Sequence, residues 1–198
     1  MENMITTMEN FIINEKKKSN KMNLYFDTEF TGLHKNTTLI SIGIISDNNK
    51  TFYAELTDYD KSQVDDWIKT NVISNLLFED EKKNTVISDD EKKYQIKGDS
   101  KFLKTHLTEW LSKFSEVEIW SDCLSYDWIL FNDIFGTAFD IPKNIYYIPF
   151  DICTLFKLKG IDTDISREEY SGTKDNKNKH NALFDANVIK KCYEKLVK

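Results

Sequence analysis

The sequence has few cysteines and lacks a long apolar run. Cys123, Cys153 and Cys192 are odd in number, far apart and without a CxxC spacing, which argues against a disulfide framework and against a zinc knuckle. No segment approaches the ~18 consecutive apolar residues of a membrane span, and the apolar run at 11–13 is too short for a signal peptide. We therefore expect a soluble protein of the reducing cytoplasm that binds no membrane.

Positive charge is also scarce, because 27 Lys and Arg residues stand against 33 Asp and Glu residues, a formal net charge of −6. This balance argues against a protein that coats long nucleic acid through a broad basic surface, but it allows a small nucleic acid held at one end. Internal repeats and low-complexity tracts are absent. With 198 residues, 40% of them hydrophobic, the chain fits one domain that buries roughly 70% of its unfolded surface.

The chain divides into a short extension and one folded domain. Residues 1–22 are polar and end in a basic cluster, so we expect a mobile N-terminal extension, with the domain covering 23–198. The domain begins with three β-rich segments, and these predict a meander of strands at 23–30, 37–47 and 50–56.

Helical and strand patterns alternate after the meander. Helices are predicted at 62–78, 100–114, 126–136 and 182–196, and further strands at 116–122 and 144–151. The charged stretch 79–98 reads as an exposed loop or small hairpin, and 168–180 as a mobile loop. The tryptophans are expected in the core: Trp67, Trp110, Trp120 and Trp128. This order of elements indicates an α/β domain whose mixed sheet is covered by helices.

Two carboxylates interrupt the first predicted strand. Asp27 and Glu29 are two positions apart, so their side chains project from the same face of the strand. Two like charges repel, and burial makes each ionised form costlier. Either this is an edge strand with a wet face, or the strand ends in a turn at Thr31 and Gly32, or a divalent cation compensates the two charges.

Acidic and histidine residues further along the chain bear on that choice. Asp127 begins an otherwise apolar helix that follows a strand, and His180 precedes Asp185 by five positions. Five positions correspond to ~140° on an uninterrupted helix, so the two side chains would not share a face. We infer that His180 lies on the loop, that Asn181 caps the last helix, and that Asp185 points at the sheet.

Three motifs in order, "DTEFTGL", "SYDW" and "HNALFDA", resemble the exonuclease motifs of the DEDD superfamily, in its histidine-containing DEDDh branch. The segments "LISIGII" and "DDWIKTNVI" are further similar to the ribonuclease T-like group of exoribonucleases that includes the polyadenylate-preferring RNase AS. The resemblance covers roughly 23–196. It implies a ribonuclease H-like α/β fold, with a mixed five-stranded sheet flanked by helices.

The resemblance also implies the roles of the site residues. Asp27, Glu29, Asp127 and Asp185 would bind two divalent cations, Mg²⁺ or Mn²⁺, and His180 would be the general base. In such sites two ions clamp the attacking and leaving oxygens of a displacement at phosphorus. An unperturbed histidine pKa near 6.5 suits proton transfer at neutral pH.

Several assignments keep an alternative. Asp122 ends a strand and competes with Asp127 for the fourth carboxylate position, although Asp127 fits the motif. A histidine near a helix start is often only a surface or capping residue. Phe30 is either part of the core or a base-stacking residue, and Leu33 matches the position that wedges the terminal base in the family. Thr31, between them, is predicted as a third substrate contact.

These observations predict a metal-dependent 3'-5' exoribonuclease that releases nucleoside 5'-monophosphates from the 3' end of single-stranded RNA or short oligonucleotides. One alternative is a single-stranded DNA 3'-5' exonuclease of the proofreading type, and another is a catalytically weak regulator that binds nucleotides or RNA. Many proteins with this fold are dimers, so the resemblance extends to a homodimer.

Overall fold

The computed structural model describes residues 21–78, 84–173 and 178–198. In these residues a mixed seven-stranded sheet is built around the predicted three-stranded meander. The strands are β1 (Lys21–Phe30), β2 (Leu39–Ser46), β3 (Thr51–Leu56), β4 (Thr85–Asp89), β5 (Lys93–Gly98), β6 (Glu116–Ser121) and β7 (Phe150–Asp151). Their order in the sheet is β4-β5-β3-β2-β1-β6-β7. The meander strands pair antiparallel, whereas β6 pairs with β1 in parallel. Strand β1 begins two residues before the predicted boundary at 23, and 1–20 lie outside the described residues.

Helices cover both faces of the sheet. They are α1 (Asp66–Asn71), α2 (Ser100–Leu111), α3 (Ser125–Phe135), α4 (Ile152–Leu158), α5 (Arg167–Ser171) and α6 (Ala182–Leu196). The predicted cap is confirmed, since the Asn181 side chain accepts a hydrogen bond from the Phe184 amide at the start of α6. The predicted end of α3 at Gly136 is confirmed too, with a backbone φ of 112°. None of the described helices is long and apolar enough to cross a membrane.

The hydrophobic core has two main layers, one on each face of the sheet. Leu24 and Phe26 of β1 pack in the layer that includes residues of α2 and α3. Tyr25, which points to the opposite face, packs in the layer formed with α4 and α6. Because side chains alternate along a strand, Asp27 and Glu29 extend from β1 on the same face as Tyr25. The sheet therefore presents both carboxylates toward α6.

The predicted helix at 62–78 is wrong, because this segment is divided into three short pieces. Turns of 3-10 helix at Lys61–Gln63 and Ile73–Asn75 flank the six-residue α1. Two capping side chains explain the first break: Asp60 accepts from the Ser62 amide, and Asp65 accepts from the Ile68 amide. Each cap begins a separate helical turn, so the apolar spacing is not used by one continuous helix.

Of the two predictions for the charged stretch 79–98, the structure shows the hairpin, formed by β4 and β5, but the β5 half of it is buried. Strand β5 pairs in parallel with β3 and becomes part of the sheet interior. Its Lys97 is only 2% exposed and forms an ion pair with Glu55 of β3, with Nζ 3.4 Å from Oε2. The run of charged residues predicts a solvated surface, whereas Lys97 of this run is paired in the core. Residues 79–83 lie outside the described part of the chain.

The last predicted strand is also shorter than expected. Of 144–151, only Phe150–Asp151 pairs as a strand, together with one bridge between Val117 and Ile145. Tyr147 is 69% exposed whereas Ile145 is 6% exposed, so the segment lies along the sheet edge and buries only part of its apolar residues. The five predicted strands thus become seven through β4 and β5. Helices α4 and α5 were not predicted, and α5 overlaps the loop predicted at 168–180, of which 174–177 lie outside the described residues.

Close packing of α6 on β2 generates a first prediction. A Cβ atom added to Gly43 of β2 would lie 2.2 Å from the Leu183 amide nitrogen and 2.3 Å from the Ala182 carbonyl carbon. Both contacts are backbone atoms of α6, which cannot rotate away. Gly43→Ala should therefore lower the free energy of unfolding in urea by about 2–3 kcal/mol through overpacking.

Gly160→Ala is the matched control for this substitution. Gly160 has a left-handed φ of 69° but no heavy atom within 4 Å of the added Cβ. Only backbone strain of about 1 kcal/mol should result. Equal losses in the two variants would show that α6 tolerates the added methyl group by moving.

Candidate active site

The second half of β1 brings Asp27 and Glu29 to one wall of a cavity, as the spacing predicts. Glu29 is 8% exposed and Asp27 is half-buried. Removal from water raises the pKa of Asp27 well above its usual value, and the charges of Asp127, Glu29 and Asp185 raise it further. Removal from water, with Asp185 nearby, raises the pKa of Glu29 to about 8. The carboxylates thus form one like-charged cluster.

Asp127 joins the cluster from the first turn of α3. Its Oδ1 atom accepts hydrogen bonds from the Thr28 amide at 2.9 Å and the Thr28 hydroxyl at 2.5 Å. The Ser121 hydroxyl lies 3.5 Å from Oδ2. Burial raises the pKa of Asp127 to about 6 although the Thr28 donors act to lower it. Thr28 therefore fixes the side chain through one oxygen and leaves the other less engaged.

Asp185 and His180 complete the cluster at the start of α6. The His180 amide donates to Asp185 Oδ2 at 2.8 Å, so the residue before the cap is folded back over the helix. Burial raises the pKa of Asp185 to about 7, against the lowering effect of that hydrogen bond. Glu29, His180 and Asp185 each offer one metal-binding atom, and these three atoms lie within 4.8 Å of one another. Burial, followed by the charge of Lys179, lowers the pKa of His180.

The backbone on either side of His180 is anchored. The Asn181 side-chain Nδ2 donates to the Tyr53 hydroxyl at 3.1 Å and to the Asn75 carbonyl at 3.0 Å. The Asn75 side chain donates in turn to the Lys179 carbonyl at 2.7 Å. His180 has a φ of 64°, a left-handed conformation that costs a non-glycine residue roughly 1–2 kcal/mol. These hydrogen bonds hold that conformation in place.

Asp122, the competitor of Asp127, has a different environment. Its oxygens accept from Arg167 Nε at 2.8 Å and from Arg167 Nη2 at 3.0 Å, a bidentate ion pair. Its charge still acts on Asp27, as the weakest of the acidic neighbours that raise the Asp27 pKa. Asp122 is thus neutralised by a guanidinium.

No such partner accompanies the predicted ligands. In the described ranges, no ion pair joins a Lys or Arg side chain to the four carboxylates, Asp27, Glu29, Asp127 and Asp185. Carboxylate oxygens are the donors that Mg²⁺ and Mn²⁺ prefer, and a cation would remove the repulsion within the cluster. The residues present therefore fit divalent cations chemically.

Two cavities meet at this cluster and share Asp27, His180 and Asp185 in their walls. One cavity, of about 370 Å³, extends toward Arg167 and Lys179. The other, of about 490 Å³, is mainly apolar and extends toward Phe30, Leu33 and Trp67. A ligand at the carboxylates can thus contact charged groups on one side and apolar surface on the other.

The prediction that Trp67 belongs to the core is wrong. Its side chain is 55% exposed, and its ring meets the His180 ring edge-on, with centroids 5.2 Å apart. Helix α1 has only six residues, and Ile68 occupies its core side. Trp67 is ~100° away around the helix axis and faces the apolar cavity. Of the other tryptophans, Trp110 is buried as predicted, and the remaining two are partly buried.

The three predicted substrate contacts lie in different environments. Leu33 is 78% exposed in the wall of the apolar cavity. Phe30 lines the same cavity while its ring stacks on Tyr126, with centroids 5.4 Å apart. Thr31 is only 2% exposed and donates to Gln63 Oε1 at 2.6 Å. Thr31 does not line either cavity and stabilises the turn after β1, and its role as a substrate contact stays a prediction.

Comparison with known proteins finds one family profile that spans nearly the whole sequence and two relatives that match a short segment of it. The profile of the 3'-5' exoribonuclease Rv2179c-like domain matches residues 22–197. A 55-residue segment is 33% identical to two proteins of Mycobacterium tuberculosis, 3'-5' exoribonuclease MT2234.1 of strain CDC 1551 / Oshkosh and 3'-5' exoribonuclease Rv2179c of strain ATCC 25618 / H37Rv. That segment covers 28% of this chain and 33% of each relative, so it spans about a third of their length.

The family profile extends from β1 to the last helix and includes every carboxylate of the cluster. The chain therefore belongs to the family of 3'-5' exoribonuclease Rv2179c-like domains.

Proposed function

We propose that the protein is a metal-dependent 3'-5' exoribonuclease that removes nucleoside 5'-monophosphates from single-stranded RNA or short oligoribonucleotides. One observation carries the proposal: four carboxylates from three separate elements converge beside a histidine without a Lys or Arg partner in the described residues. Family membership supplies the direction of cleavage and the RNA substrate.

Divalent cations, Mg²⁺ or Mn²⁺, would be held by Asp27, Glu29 and Asp185. When bound, two such ions neutralise developing charge at phosphorus and orient the attacking and leaving oxygens. Asp127 contributes through Oδ2, since Oδ1 is occupied by the Thr28 donors. The protein's task is to keep these oxygens fixed, which the β1 backbone and two helix starts accomplish.

His180 is the proposed general base. Its ring lies at the wall shared by both cavities, and burial lowers its pKa, so the imidazole is mainly neutral at pH 7 and can accept a proton from the attacking water. The anchored backbone around it holds the ring near the carboxylates.

The 3'-terminal nucleoside is proposed to occupy the apolar cavity. Trp67 and Phe30 offer ring surface for stacking on a base, and Leu33 provides an exposed apolar wedge. We include in the proposal that the protein has a ribonuclease H-like fold and belongs to the DEDDh branch, near the RNase AS group. We also include in it that the protein forms a homodimer.

A time course with labelled RNA and DNA oligomers of equal sequence tests the function directly. We expect stepwise shortening of the RNA from its 3' end with Mg²⁺ or Mn²⁺ and none with a chelator. Faster hydrolysis of DNA would favour a proofreading-type exonuclease. Tight RNA binding without hydrolysis in either metal would favour a regulator.

Neutralising one carboxylate should affect activity and stability in opposite directions. Asp27→Asn and Asp185→Asn should each abolish turnover, because a metal ligand is lost. Each should also raise the thermal midpoint of the metal-free protein, since repulsion in the cluster falls. Mg²⁺ or Mn²⁺ should raise the midpoint of the wild type through binding to the folded state, but much less in either variant.

Asp133→Asn, on the exposed side of α3, is the control for charge removal outside the cluster. It should retain both turnover and the metal-induced rise in the midpoint. Substantial activity in Asp27→Asn and Asp185→Asn at saturating Mg²⁺ would refute the proposed metal site.

The two aspartates near the start of α3 can be separated by matched substitutions. Asp127→Asn keeps an acceptor for Thr28 but removes the charge, so the cleavage rate should fall strongly. Asp122→Asn breaks the ion pair with Arg167, so it should mainly lower the thermal midpoint. Rates and midpoints measured side by side decide the assignment, and the opposite ranking would make Asp122 the fourth ligand.

Removing the proposed base should slow chemistry without weakening binding. We expect His180→Ala to lower the single-turnover rate by about 10²- to 10⁴-fold, while the concentration dependence on RNA changes little. His106→Ala on α2, which removes the partner of the Tyr94 hydroxyl on β5, should cost stability but leave the rate near the wild-type value. A His180 variant within threefold of the wild-type rate would assign the base to another group.

A further inference from the structure

Cys123 and Cys153 lie side by side although they are far apart in sequence. Their sulfur atoms are 3.5 Å apart, and both thiols are free. Cys123 is exposed in the turn between β6 and α3, and Cys153 is half-buried in the first turn of α4. The two cysteines share no sequence motif, so their spacing along the chain does not predict this pair.

One carboxylate fastens the two cysteine-bearing turns together. Asp151 Oδ1 accepts from the Cys153 amide at 2.7 Å, and Asp151 Oδ2 accepts from the Leu124 amide at 3.3 Å. Leu124 follows Cys123 directly, so the backbones next to both thiols are bound to the same side chain. The proximity of the sulfurs is therefore built into the fold and does not depend on the two rotamers alone.

The groups around the pair favour a disulfide over a bound metal ion. Asp122, Cys123 and Cys153 offer three donor atoms within 4.8 Å of one another. However, Arg167 Nη2 lies 3.2 Å from the Cys153 sulfur and also pairs with Asp122. A cation placed among these donors would meet the guanidinium charge, whereas a disulfide is neutral and meets no such repulsion.

We propose that Cys123 and Cys153 form an oxidisable dithiol, which a peroxide converts into a disulfide at the border of the nuclease site. The Cys123 sulfur attacks the peroxide, the O–O bond breaks, and a sulfenic acid and one water form. The Cys153 sulfur then displaces the hydroxyl group, which leaves as a second water with the Cys153 proton. Two thiols are oxidised while one hydrogen peroxide is reduced to water.

The order of these steps follows from the two environments. Cys123 is exposed, so a peroxide reaches it first. Burial and the neighbouring Asp122 carboxylate hold the pKa of the Cys153 thiol above its usual range, so its attack is the slower step. Cys153 also donates its proton to Asp122 Oδ1 at 3.0 Å, which offers a local acceptor. Cys153 is therefore the resolving residue.

The bond would act on the site through the turn before α3. The sulfurs must approach by about 1.5 Å to reach a disulfide length of ~2.05 Å. The Ser125 amide donates to the Cys123 carbonyl at 2.7 Å, so movement of Cys123 is transmitted to the turn that carries Asp127. This effect rests on the proposed function. A displacement near 1 Å should slow RNA hydrolysis by roughly tenfold or more.

The experiment treats fully reduced protein with hydrogen peroxide, blocks the remaining thiols with an alkylating agent, and maps the peptides by mass spectrometry. We expect a Cys123–Cys153 cross-link and a mass lower by two hydrogen atoms. Cys123→Ser and Cys153→Ser should not form the cross-link. Cys192→Ala should form it normally, because Cys192 is buried apart from the pair. Zinc content of the reduced protein is measured in parallel.

Each outcome is decisive. Alkylation of both Cys123 and Cys153 after peroxide treatment would overturn the dithiol, as would stoichiometric zinc bound in the wild type and lost in Cys123→Ser. If the cross-linked protein cleaves RNA as fast as the reduced protein does, the proposed effect on the site is overturned. Slower cleavage that dithiothreitol reverses supports it. Absence of RNA cleavage in both states would count against the proposed function only, because the cross-link is read by mass.

Discussion

The accumulation of negative charge at the end of β1 is the constraint on which the rest of the site depends. Burial raises the pKa of all four carboxyl groups, Asp27, Glu29, Asp127 and Asp185, and at Asp27 and Glu29 the neighbouring carboxylate charges raise it further. Such a cluster lowers the stability of the domain, and it persists only because rigid neighbours hold it. The central position of β1 between β2 and β6, with helices on both faces, supplies that rigidity.

Local hydrogen bonds then determine where each carboxylate points. Thr28 and Asp27 project from opposite faces of β1, and Thr28 holds Asp127, so one strand positions carboxylates on both of its sides. Asn181 caps α6 and also reaches the Tyr53 hydroxyl on β3, which ties the histidine loop to the sheet. The close approach of α6 at Gly43 places Asp185 without an intervening side-chain layer.

The sequence was sufficient where a local rule decides the structure. Alternation along β1 places Asp27 and Glu29 on one face, and the cap at Asn181 explains why His180 can lie over its helix. It was insufficient where distant contacts decide. Lys97 belongs to a charged run, yet its partner Glu55 lies on a strand 42 residues away. The exposure of Trp67 depends on how short α1 is, which the apolar spacing did not reveal.

The buried pair of Glu55 and Lys97 also restricts how this sequence can drift. Loss of Lys97 leaves Glu55 without its cation, and loss of Glu55 removes the acceptor of the Leu77 and Phe78 amides as well. Breaking a buried pair from one side costs about 3–5 kcal/mol, so the two positions are epistatic. A lineage that abandoned both charges would have to rebuild the backbone that follows α1 at the same time, and this part of the sheet should therefore change only in concerted steps.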